Sequence, residues 1–500
     1  MKSHYQVLIV GAGPVGLLLA CSLKKSGIDV VVVEKRSSRS THSKALSMNA
    51  ASLALLRSLG VAERFERSGK EISDISIYWN QQRISHVDYR QLNSCYQHIL
   101  AIPQPETERL LEEYFIELGG EIRRSVTLSA IDVGSDGINA SFPDGMTLTC
   151  DYLVGCDGSH SIVRDFAGIT FSGFDYGIDF YLFDAQVSWQ GKRDEVHYFV
   201  DEQGFIIVIP LADGNHRFVL RCPREDKSLP SLAEYQSVLS RYIPQPVVIE
   251  RVVWESKSQF YNRLASQYRV GNIFLAGDSC HLFSPIGGLG MNTGFQDAWN
   301  LAWKLTAVIS QRQPDDLLDT YDEERRSVAA MLRDSTDTST RLIARIDRDS
   351  EKICCWLPRF SNRQRARTLH PQLFSGLAQR YSGSSLIYEG RNLAGKYLPD
   401  LTLIQQGNRV SSYDIVDGEN YHLIVGSEND KQSLMTALID RHLSVYFVEV
   451  NGSDKKIEFQ PGEYLLVRPD GFVAIHESLG TLEVVAHYIE TNNIRNIYER

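Results

Sequence analysis

Three glycines and a glutamate near the N-terminus carry the first chemistry legible in this chain. Gly11, Gly13 and Gly16 follow an apolar run at 5–10 and precede a second apolar stretch at 17–23. The run reads as a strand and the stretch as a helix. Gly11 permits a tight turn, Gly13 lets backbone approach a pyrophosphate, and Gly16 lets helix and strand pack closely. Pro14 lies within the same turn. The helix N-terminus directs unpaired N–H groups and a positive dipole end at phosphate. A second strand at 30–33 delivers Glu34, followed by Lys35. The Glu34 carboxylate can accept both hydroxyls of a ribose, which completes a dinucleotide-binding unit.

Two further turns lie far along the chain. Asp157, Gly158, Ser161 and Arg164 form an acidic turn in the centre. At 273–276 another strand ends in Gly277 and Asp278, and Pro285, Gly287, Gly288 and Gly290 lead into a helix beginning near Met291 and Asn292. A carboxylate at a strand end can bind a ribityl hydroxyl, and glycine-flanked N–H groups at a helix start suit the electron-rich pyrimidine of a flavin. Negative charge collects there on reduction, and the helix dipole favours it. Three turns gripping different parts of one extended dinucleotide identify the ligand as FAD. Arg164 is expected to fix the Asp157 turn, and His281 to make structural hydrogen bonds.

On these motifs the chain resembles the single-component FAD-dependent aromatic hydroxylases, the p-hydroxybenzoate hydroxylase and phenol hydroxylase type. A fourth stretch, 102–111, resembles the helix of that family whose leading glutamine, here Gln104, touches the ribityl-phosphate region. The chain departs from the family in three places. Lys44 stands where an arginine is usual, keeping charge without the bidentate fork. Ser284 and Pro285 replace two prolines, and Cys280 replaces a small apolar residue.

Around these motifs the chain must build several domains, and 500 residues suffice for a large core. The expected fold class is α/β: a discontinuous Rossmann-like FAD-binding domain (1–75, 101–172, 271–390), an inserted β-sheet substrate domain (76–100, 173–270) and a thioredoxin-like C-terminal domain (395–500). The second insert alternates like a meander, with strands at 196–200, 205–210 and 217–221. Tyr181, Tyr198, Arg221 and His98 are candidates for its pocket, although packing is the commoner role for each type. In the tail, strands are expected at 422–426, 444–450 and 463–474 and a helix at 433–439. No cysteine follows Cys355, so a dithiol is impossible there and the tail should supply packing or subunit contacts.

A net charge of −10 disfavours nucleic acid and anionic membrane as partners. The eight cysteines show neither a CxxC nor a metal-ligand spacing, so no metal site is expected. They read as reduced thiols of a cytoplasmic protein, with a homo-oligomer as a possible assembly. The resemblance implies a reaction in which NADPH or NADH, visiting transiently, reduces FAD. Reduced flavin then takes O2 at C4a, and the hydroperoxide hydroxylates a phenolic or polyketide-type aromatic ring. The protein must orient the ring and exclude water; spacing singles out no catalytic acid, base or nucleophile. Alternatives on the same scaffold are Baeyer–Villiger or antibiotic-inactivating oxidation, or a non-catalytic FAD-binding protein. A halogenase would carry a Trp-x-Trp-x-Ile-Pro segment, which this chain lacks.

Overall fold

The computed structural model describes residues 2–40, 45–135, 137–222, 229–284, 287–343, 367–405, 407–427, 444–448, 459–492 and 494. Its centre is a parallel sheet in the order Ile273–Leu275, Thr147–Gly155, His4–Val10, Val30–Glu34, Glu121–Arg124. Every residue of Val30–Glu34 is buried, as a β-branched strand covered on both faces must be. The helices Pro14–Lys25, Gln104–Glu117 and Leu289–Ile309 pack against one another or the sheet. His4–Val10 has the next strand in sequence on one side and the much later Thr147–Gly155 on the other. Sheet order therefore reverses at its carboxyl end, which is where such folds open a ligand crevice.

The second sheet has nine strands, in the order His281–Leu282, Val247–Ala265, Phe171–Trp189, His216–Cys222, Phe205–Pro210, Glu195–Val200, Asp74–Trp79, Gln82–Asp88 and Arg367–Leu369. Segments on either side of residue 100 thus share one sheet, joined by the parallel pair Glu195–Val200 and Asp74–Trp79. Alternation along each strand gives it two apolar faces. Phe180, Leu182, Val196, Phe205, Ile207 and Val219 face the main core. Phe183, Phe199, Ile206, Val208 and Phe218 pack on the other side, with Tyr235 and Leu239 of the Leu232–Tyr242 helix. Tyr181 belongs to that second cluster, on the face turned away from the main core.

In the tail, Ser444–Val448, His422–Val425, Glu463–Val467 and Val473–Ser478 lie side by side in that order. The first pair is parallel and the others antiparallel, the arrangement of a thioredoxin-like unit. The expected helix at 433–439 lies outside the described residues. The expected strand at 463–474 is instead a hairpin, because Gly471 takes a left-handed φ of 84° and turns the chain back. The helix expected from about 291 begins at Leu289, where Gly288, with φ 64°, serves as its N-cap. No described helix is long and apolar enough to cross a membrane.

Candidate active site

The three turns converge at the carboxyl end of His4–Val10. Gly11 has φ 110°, and a Cβ there would lie 2.4 Å from the Cys156 carbonyl oxygen and 3.0 Å from Asp157 Cα. A Cβ on Gly16 would lie 2.1 Å from the Gly11 oxygen. Gly13 differs, since a Cβ there meets nothing within 4 Å. It is also the N-cap of Pro14–Lys25 and offers no side-chain cap, so no capping side chain occupies the first-turn N–H groups. Glu34 is buried at the end of its strand. Its Oε2 accepts from Ala12 N at 2.8 Å and its Oε1 from Arg36 N and Nε at 2.9 and 3.0 Å. Burial pushes the carboxyl up, but these donors outweigh it and hold Glu34 below its ordinary value. Lys35, one residue on, is exposed.

Gln104 opens its helix and bridges two segments. Its Oε1 accepts from Ala45 N at 3.4 Å, and its Nε2 donates to Glu108 Oε1 at 2.9 Å. Glu108 also accepts from Ser40 N at 3.2 Å, and burial pushes its carboxyl up. The i, i+4 spacing of Gln104 and Glu108 on one helix was the available sign of this pair. Lys44 lies outside the described residues, immediately before Ala45.

Asp157 Oδ2 accepts from Ile162 N and Val163 N at 2.7 and 3.2 Å. Its Oδ1 is buried without a partner, and burial pushes the carboxyl up. Arg164 ties this turn to the third one, donating to the Ser159 and Ser279 carbonyls, each at 3.1 Å. Its guanidinium rests 4.2 Å from the Phe171 ring centroid.

The third turn rests on the first. Gly277, with φ 68°, sits where a Cβ would meet Val15 at 2.9 Å, and one on Gly294 would meet Val15 at 2.5 Å. Asp278 is exposed at the strand end, whereas Met291 is buried in the first helical turn. Gly287 has φ 101°, and Gly290 has open space on its Cβ side. Pro285 lies outside the described residues. Asn292 is buried with its amide engaged inside the protein. Its Oδ1 accepts from Asn49 N at 3.0 Å and Ser52 Oγ at 2.7 Å, and its Nδ2 donates to the Ser47 and Gly288 carbonyls. A contact from Asn292 to a ligand would therefore come from its backbone.

Beneath this turn lies a buried ionic anchor that local sequence did not disclose. Asp297 accepts from Gly277 N at 3.2 Å, meets His281 Nε2 at 2.6 Å and accepts from Arg325 Nε at 2.8 Å. Against the upward push of burial, His281 and Arg325 hold the Asp297 carboxyl below its ordinary value. Cys280, His281 and Asp297 offer ligand atoms within 4.8 Å of one another. The thiol is pushed well up by burial and Asp297 already serves Arg325, so the cluster is chemically an anchor. His281 thus has the structural role expected of it.

Of the pocket candidates, half-buried Tyr198 lies within backbone hydrogen-bond reach of Gly287, and burial pushes its hydroxyl up to about 12. Tyr181 points away, as described above. His98 stacks edge-on against Tyr96, and Arg221 is half-buried on the His216–Cys222 strand. The open side of Gly13, the orphaned Asp157 Oδ1 and the helix start at Leu289, with no side-chain cap, fit a pyrophosphate and a flavin.

Known proteins give the same reading. Residues 4–336 match the family described as FAD binding domain, and 391–488 the family described as aromatic-ring hydroxylase, C-terminal. The 12-dehydrotetracycline 5-monooxygenase/anhydrotetracycline 6-monooxygenase of Streptomyces rimosus subsp. rimosus is 32% identical over 498 residues, 94% of this chain and 95% of that protein. A rifampicin monooxygenase of Streptomyces venezuelae is 31% identical over 414 residues, 80% of this chain and 83% of its own. The solved structure of the OxyS anhydrotetracycline hydroxylase of Streptomyces rimosus superposes with a TM-score of 0.76 at 28% identity, covering 99% of this chain and 100% of that one.

Proposed function

This chain belongs to the FAD-binding aromatic-ring hydroxylase family, and we propose on that premise that its substrate is a polycyclic phenol. It is an FAD-dependent monooxygenase of aromatic compounds. The reaction balances as ring C–H plus O2, NAD(P)H and a proton, giving ring C–OH, water and NAD(P)+. Bound FAD supplies the electron transfer from nicotinamide and the activation of oxygen. Every other task belongs to the chain. Gly11, Gly13, Gly16 and the start of Pro14–Lys25 would hold the pyrophosphate, Glu34 the adenosine ribose, and Gln104 and Asp278 the ribityl side. The uncapped N-terminus of Leu289–Ile309 would favour negative charge on the pyrimidine end of a bound flavin.

The observation that carries this reading is the convergence of three distant turns on one crevice, with the glycine loop at 287–290 set against the second sheet through Tyr198 and through the His281–Leu282 strand. We take 76–100 and 173–270 as the substrate domain. Its core-facing side is apolar, with Phe180, Leu182, Val196, Phe205 and Ile207 buried in the main core. Relatives directed at tetracycline and rifampicin favour a fused-ring substrate over a single ring. The rifampicin-directed relative also keeps oxidation of a finished antibiotic as the second reading.

The test is NAD(P)H oxidation measured across simple phenols, polycyclic phenols and rifamycins, followed by product analysis under 18O2. The expected result is faster NAD(P)H oxidation with a polycyclic phenol and one atom of label in the product. Stimulation by single-ring phenols alone would overturn the substrate class. Label arriving from water would overturn monooxygenation.

A further inference from the structure

We infer that Arg468 and Asp470, carried by the tail, are positioning residues for the flavin end of the site. The inference rests on the FAD reading above and goes beyond the packing role expected of the tail. Both residues lie in the turn that joins Glu463–Val467 to Val473–Ser478, and both are buried. Arg468 grips Glu324 of the Asp319–Ile343 helix with both terminal nitrogens, one of them at 2.9 Å. It also donates to Asp470 at 2.7 and 3.1 Å. Asp470 in turn accepts from Asn300 Nδ2 at 3.0 Å and Trp303 Nε1 at 3.2 Å, and Lys304 donates to Glu324 at 2.8 Å.

From there the network runs to the flavin turn without a break. Asn300 and Arg325 both donate to the Tyr381 hydroxyl at 3.2 Å. Arg325 sits next to Glu324, and it holds Asp297 at 2.8 Å and the Thr293 carbonyl at 3.3 Å. Asp297 holds Gly277 N. Six buried ionic groups are linked: Asp297, Glu324 and Asp470 against Lys304, Arg325 and Arg468. Three charges of each sign cancel, so the cluster is tolerable in a dry interior only while complete. Removing the Arg468 charge leaves Glu324 with the neutral donors Asn300 and Ser384 and the single cation Lys304, and Asp470 without its cation. The two long helices must then shift to re-pair, and the same helices hold Gly277 and the first turn of Leu289–Ile309.

The experiment uses the full-length protein and four variants: Arg468→Lys, Arg468→Met, Asp470→Asn and, as a destabilised control, Leu466→Ala in the apolar core of the tail. Three quantities are measured at a temperature where all are folded: the Kd for FAD of the apoprotein, the flavin midpoint potential, and the thermal midpoint of the apoprotein. Arg468→Met and Asp470→Asn are expected to weaken FAD binding by about tenfold and to lower the potential. Arg468→Lys should recover part of both, and Leu466→Ala should lower only the thermal midpoint. Network variants that lose thermal stability while keeping wild-type Kd and potential would overturn the proposal. If Arg468→Met does not fold, Asp470→Asn and Arg468→Lys decide it by the same two readouts. A wild-type protein that binds no FAD would instead overturn the FAD reading on which this rests.

Discussion

Alanine at Gly13 and alanine at Gly16 should fail in opposite ways. Gly13 has φ −78° and ψ 177°, extended backbone that any residue adopts, and a Cβ there meets nothing within 4 Å. The apoprotein of Gly13→Ala should therefore be as stable as the wild type or more so, by about 0.4–1 kcal/mol from reduced freedom of the unfolded chain. The open space beside Gly13 is the assigned path of the pyrophosphate. A methyl group there forces the phosphate outward, a penalty of about 1–3 kcal/mol by analogy with overpacking, or roughly 5- to 150-fold in Kd. At Gly16 the same methyl lies 2.1 Å from the Gly11 oxygen, backbone that cannot rotate away. Gly16→Ala should lower apoprotein stability by about 1–3 kcal/mol before any ligand is added. Thermal unfolding of both apoproteins, then FAD titration by fluorescence quenching, separates the two effects. Wild-type FAD affinity in Gly13→Ala would refute the assigned pyrophosphate path, and a destabilised Gly13→Ala apoprotein would refute the claim of open space.

Two further outcomes follow from exposure and burial. Asp278 is exposed at the end of its strand, so Asp278→Ala should leave the apoprotein thermal midpoint within about 1 °C while weakening FAD binding by about tenfold through the lost ribityl hydrogen bond; equal affinity would remove Asp278 from the site. His216 is buried against Trp189 with neither ring nitrogen bonded, and burial pushes it down to about 4. The unfolded chain takes up a proton near 6.5 while the folded one does so only near 4, so this stability is present above 6.5 and lost as pH falls between the two values. His216→Phe should remove about 2 kcal/mol of the stability difference between pH 7 and pH 5, measured by urea unfolding; an unchanged difference would contradict a buried neutral imidazole.

The glycine turns and their flanking elements were legible because glycine spacing between a strand-like and a helix-like apolar run is a pattern held within a short stretch. The close contacts behind them are only partly local: a Cβ on Gly16 would meet Gly11, but one on Gly11 would meet Cys156 and one on Gly277 would meet Val15, far away in sequence. The meander was legible from period-2 alternation, but which side of it faces the core was not. Period 2 puts Tyr181 with Phe183 and opposite Phe180, but both faces are apolar, so residue type could not say which of the two meets the main core. Asn292 was expected among the cofactor contacts as a polar residue at a helix start. Its amide instead fastens the 47–52 segment, a partnership 240 residues apart in sequence. The anchor of Asp297 and Arg325 and the pair of Glu324 and Arg468, 28 and 144 residues apart, were beyond reach for the same reason. A charge pattern discloses a partner at helical spacing, and these pairs form only once three elements have packed.

One long helix explains why the site and the tail cannot be treated separately. All residues 291–307 of Leu289–Ile309 are buried, so this helix has no solvent face on which to place polar side chains. Its Asn292 amide, Asp297 carboxylate, Asn300 Nδ2 and Lys304 ammonium all find partners in protein, while Asn300 Oδ1 is buried without one. Their partners divide by position. Those nearest the N-terminus serve the flavin turn: Asn292 binds the 47–52 segment and Asp297 binds Gly277 and His281. One to two turns further on, Asn300 and Lys304 serve Asp470 and Glu324, while Trp303 closes against Tyr421 of the tail. A helix satisfied at one end by the Gly277 turn and at the other by the tail fastens the two to each other. A tail without cysteines therefore still has a physical reason to be joined to a flavin domain.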